Sequence, residues 1–123
     1  MLLQFSCTNH KSIYKQINFS MLASKDNSNE EELKEYNGIR ILRNAAIYGA
    51  NGSGKSSFIE SIGYLQKLII NSVKLQPGDV IIRKAHKLSE ENQPSNYDVQ
   101  FIYENVLYAY GVSLIDEKII EEY

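Results

Sequence analysis

The 123-residue chain has no tryptophan, two prolines and a single cysteine. One cysteine excludes an intrachain disulfide, which agrees with a reducing compartment. Cys7 stands in an alternating run of apolar and polar residues. It is therefore predicted to be a small core or half-buried residue of a strand.

The chain also lacks a long apolar run and a strong charge of either sign. Nothing approaches the length of a membrane span, and no basic stretch precedes an apolar one at the start, as in a secretory signal. We therefore expect a cytoplasmic protein with no membrane partner. The net charge of −2 does not indicate a nucleic-acid surface. A local basic patch is compatible with that charge, so nucleic acid stays an open partner class.

Alternating residues predict strands at both ends of what should be one domain over residues 1–123. The first two strands lie within residues 2–24. Near the other end, residues 97–103 and 106–114 alternate, and a further strand begins at "IIEEY". Turns at 104–105 and 116–118 make these three an antiparallel meander. Their tyrosines are interpreted as sheet core and surface, in preference to a base-stacking platform.

The middle of the chain carries three different patterns. Residues 24–38 are polar and acidic, which indicates a loop with a short helix at Glu30–Tyr36. The run "AAIY", residues 45–48, is typical of a strand buried on both faces of a parallel sheet. Residues 55–74 show one helical apolar stripe, and additional apolar residues predict cover on more than one side. The stripe consists of Phe58, Ile62, Leu65, Ile69 and Val73, widened by Ile59, Leu68 and Ile70.

Residues 80–96 support no firm assignment beyond a strand that leads into a loop. The two histidines have no obvious partners for a metal site: His10 lies in a turn, and His86 is predicted to be exposed among lysines.

The stretch "GANGSGKS", Gly49–Ser56, matches the phosphate-binding pattern G-x-x-x-x-G-K-[ST]. Its glycines permit a loop whose backbone N–H groups point at an anion, and a helix begins where the pattern ends. Lys55 is predicted to reach the β- and γ-phosphates, Ser56 to coordinate Mg²⁺, and Ser57 to bond the α-phosphate. The alternative is a glycine-rich turn that caps the helix, with Lys55 merely exposed.

The loop "YGANGSGKSS" resembles that of ABC-type ATPase heads of the SMC/RecF class. The opening "LLQFSCTNHKSIYKQINFSMLAS" is similar to the opening of that class, with Asn9-His10-Lys11-Ser12 as its turn. The chain resembles in particular the bacterial AAA-family ATPases of the overcoming-lysogenisation-defect and abortive-infection kind. Its tail, "FIYENVLYAYGVSLIDEKIIEEY", is similar to their antiparallel strands.

The resemblance implies an α/β P-loop NTPase lobe that binds ATP with Mg²⁺: N-terminal strands, a P-loop strand, one long helix and an antiparallel β-meander. Lys55 would be its catalytic residue, Ser56 its metal ligand, and Lys11 would lie near the nucleotide. His10 replaces the aromatic residue that is usual beside this basic residue. The implied nucleotide-binding residues are Lys11, Gly49, Ala50, Asn51, Gly52, Ser53, Gly54, Lys55, Ser56 and Ser57.

The chain departs from the class because it contains no "SGG" of a signature motif. The resemblance therefore implies a first lobe alone: a fragment, a truncated gene or half of a split protein. Hydrolysis would need the missing signature and Walker B parts, supplied in a homodimer of heads or by a partner chain. Phage defence, DNA repair and signalling to a nuclease all stay open as biological tasks.

One stretch offers an alternative. "VSLIDE", residues 112–117, resembles a Walker B strand in which Asp116 would hold Mg²⁺ through water and Glu117 would activate the attacking water. That reading makes the chain a self-contained small NTPase. A strand ending in a charged turn is favoured, because no long crossover precedes it. A third hypothesis is a non-catalytic nucleotide-binding module with an exposed apolar surface.

Overall fold

The computed structural model describes residues 1–24, 31, 33–76, 78–90, 92–115 and 118–123. These form one helix and seven strands in two sheets. In chain order the elements are β1 (Leu2–Thr8), β2 (Ile17–Ser20), β3 (Leu33–Tyr36), β4 (Ile39–Leu42), α1 (Lys55–Ser72), β5 (Ser95–Tyr103), β6 (Val106–Ile115) and β7 (Lys118–Glu122).

The larger sheet is antiparallel throughout, in the order β2-β1-β5-β6-β7. The predicted meander is confirmed by its last three strands, and the register pairs Cys7 with Tyr97 and Tyr97 with Val112. Because strand side chains alternate between faces, these three share the face that carries the core. Residues 104–105, both with positive φ, make the predicted β5–β6 turn. Asp116 and Glu117 lie outside the described residues.

Helix α1 packs across that face and confirms the predicted helix. Phe58 meets Phe5 edge to face, with ring centroids 5.9 Å apart. The predicted Cys7 burial is also confirmed. The main core contains Phe5, Cys7, Ile13, Phe58, Leu65, Leu68, Tyr97, Val112 and Leu114.

The prediction that α1 is covered on more than one side is wrong. Ile59 and Ile70 are each 59% exposed, and Val73, just past the helix end, is 89% exposed. The buried positions Phe58, Ser61, Leu65 and Leu68 repeat at three- and four-residue steps and face the sheet. The described part of the chain has a single sheet for the helix to pack on, so the second apolar side stays open.

The prediction for residues 24–38 is also wrong where the structure describes them. Instead of a loop with a short helix, β3 and β4 form an antiparallel hairpin joined by Asn37 and Gly38. Both turn residues have positive φ, 47° and 79°, as a two-residue hairpin turn of the primed type requires. The "NG" pair, which favours a primed two-residue turn, is the sequence signal for this hairpin. The hairpin buries Ile41 with Leu3 and Ile102 in a second, smaller core.

The predicted strand at residues 45–48 does not form. These residues join no strand of the described chain, and Ile47 and Tyr48 are 41% and 90% exposed. An extended segment becomes a strand only when neighbouring strands take up its backbone hydrogen bonds. The five-stranded sheet packs on the buried face of α1, and none of its strands pairs with this segment.

Residues 79–90 and 92–94 contain no regular strand, so the tentative strand there is wrong as well. This stretch is instead held to the N-terminal turn by side-chain hydrogen bonds. Asn9 Nδ2 donates to the Gln93 carbonyl at 2.8 Å, and its Oδ1 accepts from the His86 backbone at 2.8 Å. His86 is half-buried against Tyr14, with ring centroids 5.3 Å apart, so the prediction of full exposure is wrong.

Candidate phosphate-binding loop

The glycine-rich loop leads directly into α1, as the sequence predicts. Gly54 is the residue before the helix and has φ of 95°, a conformation that residues with a Cβ rarely adopt. Gly49 lies close to Ser53: a Cβ on Gly49 would come within 2.7 Å of Ser53 Oγ, so the Ser53 hydroxyl would have to rotate away. The loop therefore closes tightly on itself, from Gly49 across to Ser53.

Lys55 occupies the middle of this loop. Its Nζ donates to the carbonyl oxygens of Gly49 and Ala50, each at 2.6 Å, and lies 3.4 Å from Ser53 Oγ. The ammonium group is thus held by neutral acceptors of the loop backbone. A charged phosphate oxygen is a stronger partner for an ammonium group than a carbonyl, so an anion at the loop would compete for it.

The start of α1 presents free donors beside this lysine. No side chain of the described residues caps the helix, and its first turn carries no acidic residue. The first N–H groups of a helix have no partner within the helix, and its dipole favours an anion there. Ser56 is exposed and Ser57 half-buried in the same turn. The structure therefore places Lys55 against Gly49, Ala50 and Ser53, with Ser56 and Ser57 in the first helical turn beside them.

A cavity of about 360 Å³ adjoins the loop. Its walls combine aromatic and aliphatic side chains with the loop residues. It is lined by Ser12, Ile13, Tyr14, Lys15, Ile17, Ile47, Tyr48, Ser53, Gly54, Lys55 and Phe58. A second cavity at the loop, about 530 Å³, is lined by Ala45, Ile47, Lys55, Ser56, Ile59 and Glu60. A cavity of about 470 Å³ lies on the sheet face away from α1 and contains none of the predicted site residues. The predicted residues thus line the two cavities at the loop, and Lys55 lies in the walls of both.

The N-terminal turn touches the same helix end, a contact that the sequence pattern did not reveal. Ser12 Oγ donates to Ser57 Oγ at 2.6 Å. Lys11 forms an ion pair with Glu60, one turn further along α1, and this hydrogen bond lowers the pKa of the Glu60 carboxyl. Lys11 thus lies beside the helix that carries the loop, and its ammonium contacts Glu60. Neither Ser12 nor Glu60 was predicted, because nothing in local sequence joins residues 45 or more positions apart.

Beneath this turn, His10 is fully buried. Its Nδ1 lies 2.7 Å from the Tyr97 hydroxyl, and its ring contacts Tyr64. Burial, reinforced by the charges of Lys11 and Lys84, lowers the His10 pKa from 6.5 to about 4. The imidazole is therefore neutral at physiological pH. Within the described residues, no group of His, Cys, Asp and Glu side chains could by itself hold a metal ion.

Comparison with protein families identifies the class. Residues 45–122, more than half of the chain, match the family model described as "AAA domain, putative AbiEii toxin, Type IV TA system". The chain belongs to this family. Its membership supports an AAA-type P-loop fold and a nucleotide-binding, ATPase-like function. The matched span includes the glycine-rich loop, α1 and all three strands of the meander.

No curated protein and no solved structure matches the chain. Within the part of the chain that the structure describes, no helix combines the length and the apolar character that crossing a bilayer requires.

The candidate Walker B strand can be placed in part. Residues 112–115 belong to β6, which pairs antiparallel with β5 on one side and β7 on the other. A Walker B strand would instead run parallel beside the P-loop segment. The placement therefore favours the interpretation of a strand ending in a turn, while Asp116 and Glu117 lie outside the described residues.

Proposed function

We propose that this AAA-family chain is the nucleotide-binding lobe of an ABC-type ATPase of the SMC/RecF class, and that it binds ATP with Mg²⁺ through residues 49–57. One observation carries the proposal. The Lys55 ammonium lies inside a closed glycine loop, 2.6 Å from two of its carbonyls, at the uncapped start of an 18-residue helix. Glycine loop, lysine and free helix N–H groups are the three parts that a phosphate-binding loop combines.

Each residue of the loop then has a role that follows from its chemistry. Backbone N–H groups of the loop and of the first helical turn receive the phosphate oxygens. Lys55 exchanges its carbonyl partners for the β- and γ-phosphates, and Ser57 donates to the α-phosphate. The cavity beside the loop, about 360 Å³ with Tyr14 and Tyr48 in its walls, lies within the size range of small-molecule sites and takes the nucleoside.

Mg²⁺ fits this site if it is coordinated jointly by the nucleotide phosphates and the protein. Ser56 offers one exposed hydroxyl oxygen in the first helical turn. Mg²⁺ is usually held by one or two protein oxygens together with substrate phosphates and water, in preference to a cage made of protein alone. Ser56 would supply the protein oxygen, and the metal would neutralise phosphate charge.

The exposed apolar residues around the loop support a second lobe as partner. Ile47 on the segment before the loop and Ile59 on α1 line one open hollow at the loop, and Tyr48 and Ile70 are exposed as well. Apolar patches of this kind commonly mark interaction sites. We infer that a second lobe packs there, in a homodimer of heads or from a partner chain, and supplies the signature and Walker B parts needed for hydrolysis.

The first test measures MgATP binding and turnover by the chain with Lys55→Ala as the key variant. We expect binding without turnover by the wild type. Removal of a charge-assisted partner should weaken binding by about ten- to a hundredfold in Lys55→Ala. Lys67→Ala is the matched control, because Lys67 lies exposed on the same helix away from the loop.

Two results would contradict the proposal. Equal ATP affinity of wild type and Lys55→Ala would leave the loop as a helix-capping turn. Steady turnover that Asp116→Ala abolishes would make the chain a self-contained NTPase.

A further inference from the structure

Ser12 is joined to the phosphate-binding loop although it stands far from it in the sequence. Its Oγ donates to Ser57 Oγ at 2.6 Å. The same oxygen lies 3.5 Å from the position that a Cβ on Gly54 would take, and Ser12 lines the cavity beside Lys55. Ser12 therefore contacts the loop at Gly54, the residue before the helix.

The turn that carries Ser12 is held in an unusual conformation. Asn9 and Lys11, neither of them glycine, have φ of 55° and 50° in the left-handed region. Such conformations persist only where the surroundings determine them, and they cluster at functional sites. Here the Asn9 side chain bonds the backbone of Gln93 and His86. Ser95 Oγ donates to the Asn9 carbonyl at 2.6 Å.

The side chains of His10 and Lys11 hold the turn in place through further contacts. His10 is fully buried between α1 and β5, bonded to Tyr97, although its Nε2 has no partner among the described residues. Lys11 is tied to Glu60 on α1 and, through its backbone N–H, to the Lys84 carbonyl at 2.8 Å. Ser12 thus follows a segment that is anchored at once to the sheet, to the helix and to the backbone at Lys84, His86 and Gln93.

The 2.6 Å contact between Ser12 Oγ and Ser57 Oγ has a chemical consequence. A serine hydroxyl carries one proton and accepts through its lone pairs. If Ser57 directs its one proton at a phosphate, its contact with Ser12 persists only when Ser12 is the donor, and an accepted bond strengthens the bond that the same group donates. The Ser12 hydroxyl is therefore placed to support Ser57 as a donor.

We propose that Ser12 is a positioning residue for the nucleotide: it holds the Ser57 hydroxyl with its proton directed at the α-phosphate. The inference rests on the proposed ATP-binding function of the loop. Because Ser12 acts through Ser57, its effect on ATP affinity should disappear once the Ser57 hydroxyl is removed.

A double-mutant cycle on the dissociation constant for MgATP, measured by calorimetry, tests this. Ser12→Ala and Ser57→Ala should each weaken binding about three- to tenfold, the size expected for one hydrogen bond. The double variant should bind no more weakly than Ser57→Ala alone, because the two residues act as one unit. Ser12→Thr keeps the hydroxyl and should restore affinity.

The matched control is Ser113→Ala. Ser113 Oγ lies 2.6 Å from Asn96 Oδ1 on the sheet, in a bond of the same length that does not touch the loop. It should lose stability comparably and keep its ATP affinity. If Ser12→Ala does not fold, Ser12→Thr and Ser12→Val replace it in the comparison. These two side chains have the same shape, and the hydroxyl of threonine is a methyl group in valine.

Unchanged affinity in Ser12→Ala, or losses in the double variant that multiply, would overturn the proposal. If the wild type binds MgATP and Lys55→Ala does not, such a result removes only the role of Ser12. If the wild type itself does not bind MgATP, the proposed function is wrong and the role of Ser12 is wrong with it.

Discussion

The two sides of helix α1 are both apolar in sequence, but one side is buried and the other is exposed. On one side, Phe58 and Leu65 are buried against the antiparallel sheet. On the other, Ile59 and Ile70 are exposed, and Ile59 shares an open hollow with Ile47 of the exposed segment before the loop. Both sides are apolar, so hydrophobicity alone does not decide which residues become core. The difference lies in whether the described chain contains a surface that can cover them.

The strands of the sheet explain this difference. An alternating strand buries one face and leaves the other to water, so an antiparallel meander needs cover on one side only. The continuous run "AAIY" needs cover on both faces and strand neighbours on its edges. Each strand of the meander finds its hydrogen-bonding partner in the next strand along the chain. The run "AAIY" would need neighbouring strands on its edges, and the described residues do not provide them.

The largest expected effect comes from the covered side. Leu114 is fully buried in β6, so Leu114→Ala should lower the free energy of unfolding by about 2–5 kcal/mol, through lost transfer energy and the cavity that remains. Urea unfolding followed by circular dichroism measures it. A change below about 0.5 kcal/mol, the range usual for surface positions, would mean that the meander is not the core.

An intermediate effect should appear with pH on the same covered side. His10 is neutral in the fold, with its pKa lowered to about 4, whereas the unfolded chain takes up a proton below about 6.5. Stability is therefore full above that pH and is lost as the pH falls toward 4. Between pH 7 and pH 5 we expect a loss of about 2 kcal/mol in the free energy of unfolding.

The His10→Phe variant should remove most of this pH dependence, since phenylalanine fills the site without titrating. His86→Gln is the control, because the other histidine is only half-buried. The charged groups that face His10 are Lys11, Lys84 and Glu60, and the hydrogen bond from Lys11 lowers the pKa of the Glu60 carboxyl. An unchanged slope in His10→Phe would show that His10 does not titrate between folded and unfolded states.

The smallest effect is expected on the open side. Ile70→Ser should change the free energy of unfolding by less than about 0.5 kcal/mol, because the side chain is 59% exposed. Sedimentation velocity should at the same time show less self-association, or weaker binding of the second lobe. A loss as large as that of Leu114→Ala would mean that this side is covered, and the contrast between the two sides would be lost.

Much of the fold could be predicted from local patterns. Period-two alternation indicated β5 and β6, and a three- to four-residue period indicated α1, because both periods are intrinsic to the backbone geometry. For the β3–β4 hairpin two local signals disagree: "NG" favours a two-residue turn, whereas the acidic composition of residues 24–38 favours a loop. The turn signal agrees with the structure, because Ile41 of the hairpin is buried with Leu3 and Ile102.

The candidate site divides in the same way. The sequence by itself determined the glycine loop, Lys55 and the start of α1, because these residues are consecutive and their backbone angles are local. Only the tertiary structure decided that Ser12 bonds Ser57, that Lys11 pairs with Glu60, that His10 is buried under Tyr64, and that Tyr48 lies exposed. These outcomes depend on which distant surfaces meet, and no local period of the chain carries that information.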